Sequence, residues 1–409
     1  MLRPRLTMNV AVALALAFFI GSADAFMLGL DGSASPRTDA LYALDRQGRE
    51  VKIAQTGSVG PDWVAFEDLG MPSVASDGTV LFGAARNWNH QLRWSIFVAE
   101  PDSGSVFSVA LPTSSEGGAD LDMRVDPRPQ QTSDGGIVFL THENSGEDSL
   151  FKLTHGKLKR LFRTGERLSD GPMVRLITFG SARPESQGGV ALQGYLEPGG
   201  QAEMMVSESG AITILAQQDK QLPDSEHFKS FGLPASTVTA DGPLVAFTAR
   251  TDRGAGLFTF ARGKLREVLS PSASCGFGHI DYLSPASPGL NDQGGLAVLG
   301  RCSGTMGIFL VKHGIAEPAV NADQLTDQGV RFDRLGDPLF YDGSVFFGAL
   351  TADGTASFFN MFEGKINQFG PIEIPARKVA DPGVASRHTI EVVSVSINQR
   401  GRIAYLGSP

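Results

Sequence analysis

Residues 228–269 read FKSFGLPASTVTADGPLVAFTARTDRGAGLFTFARGKLREVL, and the stretch divides into four strands. FKSFGLP runs to a turn at TADG, PLVAFTAR follows, GLFTFAR comes after a loop, and KLREVL begins beyond a second glycine turn. We label these strands A to D. In D, Leu265, Glu267 and Leu269 alternate with Lys264, Arg266 and Val268, the pattern of a half-exposed strand. Strand B is almost continuously apolar, as expected of a strand buried on both faces.

The unit recurs along the chain. Its opening glycine is Gly78, Gly135, Gly188, Gly242, Gly294, Gly343 and Gly401, at intervals of 57, 53, 54, 52, 49 and 58 residues. A second glycine follows at Gly104, Gly156, Gly210, Gly263, Gly314 and Gly364, between runs such as LFKLTH and KLKRLF. Near the start, LYALDRQGREVKIAQTG around Gly48 reads as the second half of a unit, and SINQRGRIAYLG at the other end reads as a first half. A period this regular predicts repeated sheets, and a half-unit at each end predicts ring closure, which leaves no sheet edge free. Closing a chain of this length costs on the order of 5 kcal/mol by the logarithmic loop rule, a sum that sheet pairing can offset. The expected fold is all-β: a seven-bladed β-propeller with four antiparallel strands per blade, its closing blade built from both termini.

Composition agrees with this class. Apolar residues make up 42% and charged residues 19% of the 409, with 49 glycines and 23 prolines, which suits many short strands and turns. Residues 1–25, with Arg3 and Arg5, the apolar run Val10–Ile20 and the small residues of GSADA, read as a secretory signal, leaving 26–409 as a single propeller domain. The apolar run is too short to span a bilayer, so the expected protein is exported, periplasmic or secreted, without a membrane span. Removing residues 1–25 takes away two positive charges and one negative, moving the formal charge from -9 to -10. That balance argues against nucleic acid as a partner. Two cysteines, Cys275 and Cys302, flank the first hairpin of the fifth unit about its turn at Pro288 and Gly289, and export predicts that they form a disulfide.

Antiparallel order puts the A–B and C–D turns on one side of each blade and the B–C and D–A loops on the other. Asp77-Gly78, Asp134-Gly135, Asp241-Gly242 and Asp342-Gly343 read as tight turns of the first side. The second side takes the longer connections 84–95, 111–125, 164–174, 217–228 and 369–388, and a binding site is expected there.

The repeat resembles the tandem NxxGxxAF-type repeats of secreted and envelope-associated bacterial proteins. NDQGGLAV at Asn291 and NQRGRIAY at Asn398 are the nearest copies; Ala75, Thr132, Glu185, Thr239 and Phe340 stand at the asparagine position elsewhere. The resemblance implies a β-propeller and carries no catalytic residues with it.

Signatures of propeller enzymes are missing. The chain has no GxSxG elbow and no HExxH, since His142-Glu143 is followed by Asn144 and Ser145. Seven histidines are scattered and only three tryptophans are present, so no metal and no cofactor is expected. The segment ARNWNHQLRWS puts Arg86, Trp88, His90, Arg93 and Trp94 on the loop-rich side of the first blade, residue types suited to recognition; the alternative is that a tryptophan packs against the adjoining blade. Superposing units on the opening glycine also aligns Arg86, His142, Arg250 and Arg301, seven or eight residues on, as a partly basic rim beside Glu143. The leading functional reading is a non-catalytic module binding a protein, peptide or glycan through the long-loop side. The competing reading is a hydrolase or lyase acting on an acidic sugar or ester, with Arg86, Arg250 and Arg301 holding a carboxylate and His142 or Glu143 as base.

Overall fold

The computed structural model describes residues 40–44, 49–61, 63–75, 77–88, 91–110, 128–132, 135–142, 147–168, 171–179, 181–182, 189–220, 222, 226–326, 329–341, 343–352, 356–368, 395–397 and 403–407. The expected signal segment 1–25, the connections 111–125 and 369–388, and residues 398–402 of the Asn398 copy lie outside these. Thr38–Pro409 gather into one compact unit.

The fold is an all-β propeller. Six sheets have the B strands Val80–Trp88, Ile137–His142, Val190–Glu197, Gly242–Thr251, Leu296–Cys302 and Ser344–Thr351, and we number them one to six in that order; five are each built from one stretch of chain, and sheet four adds Ser181–Ala182 in parallel beside Ala235–Thr239. A further sheet runs Glu50–Gln55, Ala40–Leu44, Ile403–Gly407, Val395–Ile397, so the two ends of the chain share it. Ala40 pairs with Gly407, Leu41 with Leu406, Tyr42 with Tyr405 and Ala43 with Ala404.

Phenylalanine supplies the repeating core contact. In sheets one, two, four and six the B and C strands place two rings opposite each other: Phe82 with Phe97, Phe139 with Phe151, Phe247 with Phe258, and Phe347 with Phe359, at 5.4, 5.9, 6.0 and 5.7 Å. A third ring from the start of strand A meets the pair edge-on in three of them: Phe66 on Phe97 at 5.1 Å, Phe228 on Phe258 at 5.0 Å, Phe332 on Phe359 at 4.9 Å. Offset and edge-on pairs each add about 0.5–1.5 kcal/mol beyond area burial. Apolar clusters fill the spaces between consecutive sheets, from the shared sheet against sheet one through to sheet five against sheet six.

The turns follow the glycines. At the C–D hairpins, Arg262-Gly263 and His313-Gly314 both take positive φ in succession, 52° and 71°, then 50° and 80°, the backbone a two-residue turn of type I′ requires. Asn291 of the NDQGG copy accepts hydrogen bonds from Gln293 N at 3.1 Å and Gly295 N at 2.6 Å, so the repeat asparagine fastens the A–B turn. Thr239 does related work in sheet four, accepting from Asp241 N at 3.2 Å, and Asp77 accepts from Thr79 N at 2.9 Å.

Two features depart from expectation. Strand A is split in four sheets: Asp68–Leu69 and Ser73–Val74, Phe228–Phe231 and Ala235–Thr239, Ile280–Leu283 and Gly289–Leu290, Phe332–Leu335 and Leu339–Tyr341. The breaks hold Gly70-Met71-Pro72, Gly232-Leu233-Pro234, Ser284-Pro285 and Gly336-Asp337-Pro338; each proline lacks the N–H that would continue the ladder. And 84–95 is no irregular loop. The B strand runs on to Trp88 and the C strand, Gln91–Glu100, starts three residues later, with Ala84 opposite Ser95, Arg86 opposite Arg93 and Trp88 opposite Gln91.

One buried acid should govern part of the pH dependence. Glu203 in strand C of sheet three is wholly buried; its Oε1 accepts from Gln193 Nε2 at 3.3 Å, and Gln193 also donates to Phe231 O and Gly232 O of sheet four at 3.1 Å each. Burial holds the Glu203 carboxyl well above the usual range, opposed by the Gln193 bond. The folded state therefore binds this proton more tightly than the unfolded chain, and stability falls as pH rises from the unfolded value towards the folded one. Glu203→Gln should melt higher than the parent at pH 8, with the gap closing towards pH 4; thermal scans showing a pH-independent gap or the opposite trend would contradict this.

Candidate binding face

The starts of the A strands, the ends of the B strands and the D–A connections share one side of the propeller, and the D–A connections repeat a small motif. In five of them, those with described residues, a backbone bond closes a short hairpin: Gly60 N to Val64 O at 2.9 Å, Leu168 N to Pro172 O at 3.1 Å, Leu222 N to Glu226 O at 2.6 Å, Cys275 N to Gly278 O at 3.0 Å and Thr326 N to Val330 O at 2.9 Å. On or beside three of these hairpins stand large apolar side chains open to water: Trp63 is 90% exposed, Phe277 50% and Leu325 62%. Trp63 also holds φ at 64°, an uncommon backbone state for so bulky a residue.

The hairpin at Cys275, which leads into sheet five, is the most heavily braced. The Cys275–Cys302 disulfide ties it to the end of strand B, Ser274 bridges to His279, and His279 Nδ1 lies 2.9 Å from Ser272 O. Phe277 stands between Gly276 and Gly278 at its tip. The sequence reading paired the cysteines correctly but passed over Phe277, Trp63 and Leu325. A Leu-x-Asp triplet recurs at Leu168, Leu222 and Leu325, but Trp63 and Phe277 stand in no such repeat.

The expected basic rim does not assemble. Arg250 lies opposite Ser230 and Arg301 opposite Tyr282, whereas Ala85, not Arg86, occupies the matching place opposite Asp68. Counting from the opening glycine misleads because sheet four carries one residue more before this place: Arg250 lies eight beyond Gly242, whereas Ala85 and Arg301 lie seven beyond Gly78 and Gly294. A slip of one residue reverses the face of a strand, and Arg86 accordingly points inward: it is 1% exposed, donates from Nη2 to Ser95 Oγ at 2.9 Å and lies over the Phe97 ring at 5.1 Å. Trp94, 8% exposed, joins Leu81 and Ile96 in packing against Ile137, Phe139 and Phe151 of sheet two. Both residues are part of the core, which corrects their assignment to a recognition surface. Arg93 is half-buried and reaches Leu92 O at 3.4 Å. Trp88 and His142 lie at the ends of B strands; His90 and Glu143 fall outside the described residues.

Several of the charges that do reach this side are matched locally. Arg301 pairs with Asp281 at 2.5 Å and lies 6.0 Å from the Tyr282 ring; its guanidinium holds the Asp281 carboxyl below the ordinary range. Lys229 pairs with Asp252 at 2.9 Å, and that bond, with the backbone and side chain of His227, lowers the Asp252 carboxyl to about 2. Arg175 pairs with Glu197, and Arg253 with Glu226. Exposed pairs of this kind contribute little to stability, but they cancel the field a basic rim would need. Elsewhere, the narrow cleft between sheets two and three is closed by Lys152 and Glu208 at 3.3 Å.

Among the described residues no group of His, Cys, Asp and Glu is arranged to hold a metal ion, and no helix is long and apolar enough to cross a membrane.

No protein-family model and no curated protein matches the chain. Solved structures that resemble it include the acylaminoacyl peptidase of Pyrococcus horikoshii, at 10% identity and a TM-score of 0.45 over 78% of this chain and 48% of that one. A study of two prolyl endopeptidases supplies another, at 14% identity and 0.48 over 82% and 46%. The Dos1 propeller aligns at 11% identity and 0.39 over 90% and 80%. The chain spans about half the length of the peptidases it matches, and no activity is transferred from them.

Two pairs of substitutions should separate core from surface. Arg86→Ala and Trp94→Ala should each lower stability by about 2–5 kcal/mol through lost packing and an unpartnered Ser95. Arg250→Ala and Arg301→Ala should stay within about 0.5 kcal/mol. Denaturant melts giving the reverse order would contradict the placement of these side chains.

Proposed function

We propose that the protein is an exported, non-catalytic binding propeller, closed as a seven-bladed ring by the sheet that both chain ends share, and that it holds a peptide or protein segment on its D–A hairpin side. The observation that carries this reading is the set of water-exposed apolar side chains, Trp63, Phe277 and Leu325, raised on repeated hairpins of different sheets. Aromatic anchors on rigid supports bind at low entropic cost because little ordering remains to be done on contact. The Cys275–Cys302 bridge supports export, since disulfides persist in oxidising compartments.

The hydrolase or lyase reading needs Arg86, Arg250 and Arg301 on one rim. Arg86 is buried and Arg301 is neutralised by Asp281, so no observation favours that reading.

Peptide and glycan arrays probed with the parent and with a Trp63→Ala, Phe277→Ala, Leu325→Ala variant test the proposal. The parent should select a set of peptides, and the variant should lose at least ten-fold in affinity for them while melting within a few degrees of the parent. Selection of glycans alone, or undiminished peptide binding by the variant, would overturn it.

A further inference from the structure

The split in strand A places one residue of each of four repeats beside the propeller axis. Four backbone bonds mark the same position: Gly70 N to Gly83 O at 2.9 Å, Gly232 N to Thr248 O at 2.8 Å, Ser284 N to Leu299 O at 2.9 Å and Gly336 N to Gly348 O at 2.7 Å. The next residues are Met71, Leu233, Pro285 and Asp337, of which Met71, Pro285 and Asp337 are exposed and Leu233 half-buried.

These breaks touch from sheet to sheet. Leu233 N donates to Pro285 O at 2.7 Å, Ser287 Oγ donates to Pro234 O at 3.0 Å, and Ser284 Oγ donates to Asp337 Oδ1 at 2.8 Å. A side chain on Gly232 would run into Pro285 O at 2.4 Å, so the close approach depends on that glycine. The innermost strands thus form a tight inner wall, and the residue after each glycine or serine is what that wall presents to water. Its described members are apolar except for one carboxylate.

Asp337 differs from the other acids of the inner strands. Asp281 has Arg301, and Asp333 has Arg334 at 4.0 Å, while among the described residues Asp337 has a hydroxyl donor and no cation. Water reaches it, yet protein crowds it closely enough that loss of hydration raises its carboxyl above the ordinary range, opposed by the Ser284 bond. Burial, and after it the Asp337 charge, raises the hydroxyl of Tyr282, two residues before Ser284, above the usual value, opposed by the Ser284 bond and the Arg301 charge. A poorly hydrated carboxylate without a counter-ion, set in an apolar wall below an exposed tyrosine ring, favours a cation that brings its own apolar stem.

We propose that the axial wall around Asp337 is a binding site for a primary ammonium group on an aliphatic chain, with Asp337 taking the charge, and Leu233 and Pro285 lining the path of the stem. The site deepens the binding reading: a lysine side chain of a peptide lying across the hairpin side has this chemistry, as does a free alkylamine.

Calorimetric titration of the purified full chain at pH 7 tests it with n-hexylammonium chloride, 1-hexanol, and a capped Ala-Ala-Lys-Ala-Ala peptide beside its norleucine counterpart. Saturable binding of hexylammonium or of the lysyl peptide, with hexanol and the norleucine peptide at least ten-fold weaker, is the expected result. Which of the two cations binds tells a free amine from a peptide side chain. Asp337→Asn keeps an acceptor for Ser284 and should lose at least ten-fold, whereas Asp252→Asn should bind as the parent does. Absence of binding by either cation, hexanol binding as tightly as hexylammonium, or full affinity in Asp337→Asn would overturn the proposal; the comparison between hexanol and hexylammonium needs no variant. Array peptides still lost on removing Trp63, Phe277 and Leu325, together with no ammonium binding, would reject this site and leave the hairpin face standing.

Discussion

The backbone pairing of 40–43 with 404–407 is the constraint on which the rest depends. Every other sheet forms from residues close in sequence, where loop closure is cheap. This one joins segments separated by nearly the whole chain, and its closure costs on the order of 5 kcal/mol in chain entropy. What offsets that cost is local and visible: Leu41, Ala43, Ala54 and Ala404 are packed against Phe66, Phe82 and Phe97 of sheet one. The shared sheet therefore does double duty, satisfying the ends of the chain and covering the face of its neighbour.

Much of this was legible in the glycine beat, because positive φ at a hairpin tip is a backbone demand that few other residues meet. Gly263 and Gly314 announce their turns for that reason. The pairing of Cys275 with Cys302 was legible because the chain has two cysteines and reads as exported; the strand register itself sets Ile280, not Cys275, opposite Cys302, and the turn lies at 291–295 rather than at Pro288 and Gly289. The split of strand A was harder to see. Gly232-Leu233-Pro234 looks like the end of a strand, and only the recurrence of Gly-x-Pro at 70–72 and 336–338 shows that the break is part of the unit. Arg86 was misplaced for a different reason: strand faces alternate every residue, so one extra residue after the opening glycine in sheet four aligns Arg250 with Arg86, a core residue, instead of with Ala85. The apolar hairpin tips were missed because an isolated Trp63 or Leu325 in a loop carries no periodic signal.

Charge and apolar surface divide the functional question between them. On the hairpin side, lysines and arginines meet carboxylates of their own sheet, as Lys229 meets Asp252 and Arg301 meets Asp281, so little net field remains to draw an anion. What projects into water is apolar and held by short closed hairpins, most firmly at Phe277. At the axis the relation is inverted: the wall is apolar and a single described carboxylate, Asp337, is left without a cation. Both features suit recognition of a segment that carries hydrophobic and cationic side chains together.

The most direct measurement of the central claim is a cross-link between the two chain ends. The parent has two cysteines, both in the disulfide, so Tyr42→Cys with Tyr405→Cys introduces the only free thiols. Residues facing each other across an antiparallel pair have Cα atoms about 4.5–5.5 Å apart, within disulfide reach. Mild oxidation should give a monomer in which a non-reduced digest joins the peptides containing residues 42 and 405. Thiols that stay free, or that link only between molecules, would contradict the account.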